Sequence, residues 1–202
     1  MAELILIGLL GYLIGSVPFA LVIGRMFYDT DVRCYGSGNL GGSNTGRVLG
    51  KKAGLCVMTL DLLKVTLVVW LSMRLSAHPH AIALGGIAAA LGHCFPLVAE
   101  FRGGKAVAGL YGFLFGLWVC AGYSPSVFFV PLTVFITVLV LFKIVSLSSI
   151  CSAMGALLWV CVMDLPMPLS AAVLAFTVLI IVRHHENIRR MVHGCEAKIT
   201  WM

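Results

Sequence analysis

Four stretches of this chain, Leu4 to Val22, Leu55 to Leu71, Val127 to Phe142 and Pro168 to Val182, are nearly unbroken runs of apolar residues. Each is long enough, or close to it, to cross a hydrocarbon layer of roughly 30 Å as a helix. That property excludes most folds. Lipid offers no partner to a backbone N–H or C=O, so only helices and closed barrels can span it, and no alternation of apolar and polar residues marks barrel strands. With 60% hydrophobic and 11% charged residues in a chain of 202, and a mean hydropathy of +1.04, the apolar surface exceeds what a soluble globule can hide. An all-α polytopic membrane protein is expected. Residues 1–202 are expected to form a single domain, because no repeat, low-complexity tract or linker interrupts them. The first run lacks a basic start, carries Glu3 and has no small-residue cleavage site before Arg25, so it reads as a retained span rather than a signal peptide.

Hydropathy predicts about seven transmembrane helices, near residues 3–24, 53–73, 80–98, 106–122, 125–142, 146–163 and 168–182. Gly85, Gly86, Gly92 and Pro96 interrupt the third, which is expected either to span imperfectly or to re-enter. With seven spans, Arg25, Arg33, Arg47, Lys51 and Lys52 fall on one side together with Arg102, Lys105, Lys143 and the basic tail. Arg74 alone lies on the other side, and Lys64 lies within a span. The positive-inside rule then places the N-terminus outside and the C-terminal residue, Met202, in the cytoplasm. The net charge of +6 is thereby gathered on a cytoplasmic face that can attract anionic lipid or a small anionic substrate. The seven cysteines show neither a CxxC pair nor metal-ligand spacing. They read as reduced packing residues, and no metal or cofactor is expected.

Residues 36–47 read GSGNLGGSNTGR, whose first half spells GxGxxG. A dinucleotide turn needs a strand before it and a βαβ unit around it, whereas here a short charged loop follows a membrane span. A Walker loop fails because Gly42 stands where the lysine belongs. What remains is a group of small residues whose N–H groups can converge on a phosphate or carboxylate, with Ser37, Asn39, Ser43, Asn44 and Thr45 as side-chain partners and Arg47 as a cation. The same residues also suit a loop of simple turns.

Three further polar clusters lie toward the same face. In GHCFPLVAEFRGGKAVAG, residues 92–109, Gly103 and Gly104 free the backbone ahead of Lys105. That lysine can neutralise a phosphate or merely snorkel at the interface, and His93 reads as a hydrogen-bonded histidine inside the bundle. In VSLSSI, residues 145–150, Ser146 and Ser148 either cap a helix or present hydroxyls to an anion. In RHHENIRR, residues 183–190, Arg183 either signals topology or joins Arg47, Lys64 and Lys105 as a cation for phosphate. There His184 and Asn187 share a face if the helix continues, and His185 points elsewhere. Asp61 and Lys64, three apart in an apolar run, form either a structural ion pair or a functional one facing a cavity.

Taken together, in this order along the chain, GSVPFALVIGRMF, YGSGNLGGSNTGRVLGKKAG, LDLLK, GHCFPLVAEFRGGKAVA, VSLSSI and RHHENIRR resemble the PlsY family, the bacterial membrane acyl-phosphate:glycerol-3-phosphate acyltransferases. The resemblance covers nearly the whole chain. It implies seven helices in the bacterial inner membrane with the active site on the cytoplasmic side. There an acyl chain would pass from acyl phosphate to the 1-hydroxyl of glycerol 3-phosphate, giving lysophosphatidic acid. The residues expected at the reacting groups are Ser37, Asn44, His184 and Asn187. Those expected to hold the substrates are Gly36, Gly38, Asn39, Ser43, Arg47, Lys64, Gly103, Gly104, Lys105, Ser146, Ser148 and Arg183. Some positions depart from the family pattern: Gly42 and Ser43 stand where Ala and Thr are usual, Ala106 and Gly109 where Gly and Thr are, and Lys143 where Arg is. No role is therefore carried onto Gly109.

The chemistry fits this inventory. An acyl phosphate is already activated, so a protein need only orient two anions, stabilise an oxyanion and assist one proton transfer. No Ser/His/Asp triad and no HxxxxD pair occurs. Direct attack without an acyl-enzyme is expected, with a phosphate oxygen or His184 as proton acceptor. The partners expected are the two substrates and membrane lipid, with no nucleic acid, and a monomer suffices. The competing reading is a transporter or channel for a small organic anion, which should show paired repeats and broken helices in corresponding halves.

Overall fold

The computed structural model describes residues 1–76 and 78–199; Met202 lies outside the described residues. The chain begins with α1 (Ala2–Gly15) and α2 (Phe19–Tyr28). The first expected span is thus broken at residues 16–18. Pro18 accounts for the break, because its ring removes an N–H donor and pushes Val17 away from helical geometry. Ser16 closes α1 by donating its N–H to the Tyr12 carbonyl at 2.8 Å. Next come α3 (Gly42–Leu49), α4 (Lys51–Leu75), α5 (Pro79–Cys94) and, after a 3₁₀ turn at Leu97–Ala99, α6 (Val107–Val119). The remaining helices are α7 (Ser126–Phe142), α8 (Val145–Val162), α9 (Met167–Arg183) and α10 (His185–Val192).

No strand occurs among the described residues, and the molecule is an integral membrane bundle. Ala2–Tyr28 taken through its break, Lys51–Leu75, Pro79–Ala99 and Val145–Val162 are each long and apolar enough to cross a bilayer. Met167–Arg183 with His185–Val192 forms a fifth candidate, bent by 57°. The apolar helices α6 and α7 are shorter, at 13 and 17 residues. Leu158, Val162 and Phe142 project from α8 and α7 as exposed side chains, as a surface bathed in lipid requires.

Two expectations change. The second half of GSGNLGGSNTGR is a helix, α3, rather than a loop. The glycines of residues 80–98 do not break that segment, since α5 runs unbroken from Pro79 to Cys94. They admit a neighbour instead. A Cβ on Gly11 would come within 2.8 Å of the Gly85 carbonyl oxygen, one on Gly15 would meet the Ala89 backbone, and one on Gly92 would meet the Tyr12 carbonyl. Helices α1 and α5 therefore pack backbone to backbone, a contact that membrane helices gain from small residues because apolar side chains have no reason to leave lipid. The main core gathers α4, α5, α6, α8 and α9 around the Phe113 and Phe176 rings, whose centroids lie 5.4 Å apart. Beyond α10, Gly194 takes a left-handed φ of 69°. The tail then returns to the start of α8, where the Ile199 N–H donates to the Lys143 carbonyl at 2.8 Å.

Candidate active site

A cavity of about 730 Å³ opens between α3, α4, α6, α7, α8 and α10. One end is polar, with Ser37, Arg47, Lys105, His184, Asn187 and Arg190. The other is apolar, with Tyr111, Phe128, Leu132 and Phe135.

The polar end begins with the loop before α3. Gly36 and Gly38 hold φ values of 60° and 67°, which side chains disfavour, and the turn they make brings the chain onto α3. Asn44 locks it there. Its Oδ1 accepts the Ser37 N–H at 2.8 Å, and its Nδ2 donates to the Val32 and Tyr35 carbonyls at 3.0 and 3.2 Å. Ser37 is exposed on this loop, and Ser43 and Arg47 are exposed on α3, all three at the cavity.

A chain of polar contacts crosses the opposite wall. Lys105 Nζ donates to Asn187 Oδ1. Asn187 Nδ2 donates to Glu196 Oε1 at 2.6 Å, which also accepts from Ser146 Oγ at 2.7 Å. Arg190 Nε donates to Glu196 Oε2 at 2.7 Å. Burial alone would raise the Glu196 carboxyl, but the hydrogen bonds from Asn187, Ser146 and Arg190 outweigh it and hold the group below its ordinary range. Burial pushes the Lys105 ammonium down to about 8, and repulsion from Arg190, Arg183 and Arg47 adds to that, against the pull of Glu196. Mutual repulsion of this kind marks a site whose cations outnumber its anions, and a bound dianion would relieve it.

His184 sits past the end of α9, where the chain bends into α10. Its Nδ1 lies 2.7 Å from the Ile180 carbonyl; a carbonyl can only accept, so Nδ1 carries the proton and Nε2 keeps its lone pair. Burial pushes the imidazole down to about 4, partly opposed by the Ile180 bond and reinforced by Lys105. The ring is therefore neutral at physiological pH. His185 is exposed and lies 3.3 Å from Glu186.

Several expected site residues are placed elsewhere. Lys64 does not line the cavity. It is buried 2.7 Å from Asp61 Oδ1, a close ion pair without hydrogen-bond alignment, and donates to the Val17 carbonyl at 2.8 Å, in the break between α1 and α2. Asp61 and His93 reach the cavity in its place, with His93 Nδ1 3.6 Å from Asp61 Oδ1. Gly103 and Gly104 are buried behind the wall, where their N–H groups donate to the Cys94 and His93 carbonyls at 3.1 and 3.0 Å. Gly104 packs against the His93 ring, leaving no room for a Cβ. Arg183 holds this turn from the other side, donating to the Gly104 and Gly103 carbonyls at 3.1 and 3.2 Å. Ser148 turns its hydroxyl back to the Ile144 carbonyl at 2.8 Å, and Gly38 shapes the loop without lining the cavity. Gly36, Ser37, Asn39, Ser43, Asn44, Arg47, Lys105, Ser146, His184 and Asn187 do line it. Ser149, Arg190 and Glu196, which line it too, were not expected. The available signal for Glu196 was its place as the sole acid after residue 186.

The Glycerol-3-phosphate acyltransferase family model matches residues 5–194. Glycerol-3-phosphate acyltransferases of Geobacillus kaustophilus and Listeria monocytogenes are 44% and 45% identical to this chain. The alignments cover 97% and 99% of it and 96% and 98% of those proteins. The fold is similar to that of PlsY (YgiH), an integral membrane glycerol 3-phosphate acyltransferase solved in a glycerol 3-phosphate form. The match has a TM-score of 0.90 at 33% identity over 98% of this chain and 96% of that one. A lysophosphatidic acid form of the same enzyme matches with a TM-score of 0.88 at 32% identity.

Proposed function

The chain belongs to the glycerol-3-phosphate acyltransferase family, and on that premise we propose that it transfers an acyl chain from acyl phosphate to the 1-hydroxyl of glycerol 3-phosphate at the cytoplasmic face of a bacterial inner membrane. The observation that carries this reading is a single cavity with cations at one end and aromatic rings at the other. Such a cavity suits a donor whose phosphate and acyl chain are joined directly, with neither a pantetheine arm nor a nucleotide between them.

In the proposed reaction, Arg47, Lys105 and Arg190 hold the two phosphate groups, and Asn187 and Glu196 fix the lysine and the arginine in place. The loop locked by Asn44 presents Ser37 and the first N–H groups of α3 to the acyl carbonyl, where negative charge develops. Asn44 thereby acts as a positioning residue, since its amide is committed to the backbone. The hydroxyl oxygen of glycerol 3-phosphate attacks the acyl carbon, the bond from that carbon to the phosphate oxygen breaks, and inorganic phosphate leaves. The hydroxyl proton goes to the departing phosphate. His184, pushed down to about 4, is too weak a base to keep it, so its Nε2 lone pair accepts the hydroxyl hydrogen bond and aims the nucleophile.

Purified protein in detergent, given glycerol 3-phosphate and palmitoyl phosphate, should form lysophosphatidic acid and phosphate, and palmitoyl-CoA should not replace the donor. Equal turnover with palmitoyl-CoA would refute the donor assignment. An acylated side chain formed from palmitoyl phosphate alone at the turnover rate would refute direct attack.

A further inference from the structure

The apolar end of the cavity is closed by a cluster of rings. On α6, Val107, Ala108 and Tyr111 line it; one turn deeper Leu114 is fully buried and Phe115 meets Phe128 edge-on, with centroids 5.4 Å apart. On α7, Phe135, Leu132 and Phe128 line it in order of increasing distance from the start of α8 and the polar end. Phe135 and Phe128 stand seven residues apart, about 10 Å along the helix axis. Phe128 does not stand alone: it contacts Tyr111, Trp118 and Phe129 with centroids at 5.8, 6.1 and 5.3 Å. On the α8 side, Ser149 lines the cavity, while Ser152 is taken up by the Tyr111 hydroxyl at 2.5 Å and the Pro131 carbonyl at 2.9 Å. The Tyr111 hydroxyl also lies 3.2 Å from the Pro131 carbonyl, and the two hydroxyls and that carbonyl tie α6, α7 and α8 together at this depth.

We infer that Phe128, backed by this aromatic cluster and braced by Tyr111, is the end stop that sets which acyl-chain lengths the protein accepts. The inference rests on the acyl-phosphate reading above. A chain anchored by its phosphate at Lys105 and Arg47 has a fixed starting point, so its terminal methyl comes to a fixed depth. A methylene that fits between the walls exchanges lipid or detergent for an equally apolar surface, so chain length by itself changes binding little. A methylene that reaches the Phe128 ring must displace a side chain held by four aromatic neighbours, and overpacking opposes binding. Phe135, seven residues nearer the start of α8 than Phe128, is passed by chains of every length and cannot distinguish them.

The test is kcat/KM for a graded series from lauroyl to arachidoyl phosphate, measured on the full-length protein in detergent. The parent should vary little with length up to an optimum and then fall. Phe128→Ala should move the optimum to longer chains, Phe128→Leu should move it less in the same direction, and Phe135→Ala should lower all lengths alike. If Phe128→Ala does not fold, Phe128→Leu carries the test. A folded Phe128 variant with the parent's profile would overturn the inference, as would a parent that shows no fall for the longest chains, because the acyl tail would then leave sideways into lipid. Absence of lysophosphatidic acid from every acyl phosphate tried would instead refute the donor assignment, and the end stop with it.

Discussion

At Lys105, burial and three neighbouring guanidinium groups act in the same direction, and the ammonium loses its proton near pH 8. Below that pH the side chain is a cation that can hold a phosphate; above it the group is a neutral amine. Since kcat/KM reports ionisations of the free enzyme, kcat/KM for glycerol 3-phosphate should fall as pH rises through about 8. The fall should amount to about one to two decades, the worth of one charge-assisted hydrogen bond. Lys105→Arg should abolish this alkaline limb, because a guanidinium stays protonated, and should start from a lower plateau, because a planar fork does not replace an ammonium against Asn187. A Lys105→Arg variant with the parent's alkaline limb would assign the titration elsewhere. His184 contributes no inflection in the same range, since burial has already pushed it down to about 4.

Among the helices, the contact of α1 with α5 is set by how closely two backbones approach. A Cβ at Gly15 would sit 2.7 Å from the Ala89 Cα, so Gly15→Ala must separate the pair. It should cost about 1–3 kcal/mol, read as a lower Tm in detergent. Gly8, on the same helix, has nothing within 4 Å of its would-be Cβ, so Gly8→Ala should be neutral or slightly stabilising, as helix propensity alone dictates. Equal effects at the two positions would show that α1 is held by something other than this contact. The 57° bend between α9 and α10 has a different function. It leaves His184 at the corner and turns Asn187 and Arg190 across the cavity mouth instead of along the bundle wall.

At the scale of the whole molecule, the proposed seven spans place the two termini on opposite sides, with Cys34 of the first loop and Cys195 of the tail both exposed on the cytoplasmic side. Reporter fusions should place the N-terminus outside and the C-terminus inside. An impermeant thiol reagent added to intact cells whose outer layer has been opened should spare Cys34 and Cys195 and reach them only after lysis. Termini found on one side would mean that one span, α6 or α7 as the shorter apolar helices, does not cross, and would remove the asymmetry of charge on which the orientation rests.

Membrane residence, helical class and family membership were all legible before any fold was known. Span length and apolarity are properties of contiguous residues, and so are motifs such as GSGNLGGSNTGR and RHHENIRR. What a linear pattern does not carry is the rotational phase of each helix and the route of the tail. Lys64 and Lys105 look equally able to meet a phosphate in sequence. The break at Pro18 gives Lys64 a carbonyl partner and holds it behind Asp61, while the turn at Gly103 and Gly104, pinned by Arg183, carries Lys105 into the cavity. Glu196 meets Ser146 across 50 residues of chain, only because Gly194 turns the tail back onto α8. The tertiary structure decided these placements, because a buried polar group must find its partner wherever the packed chain puts one.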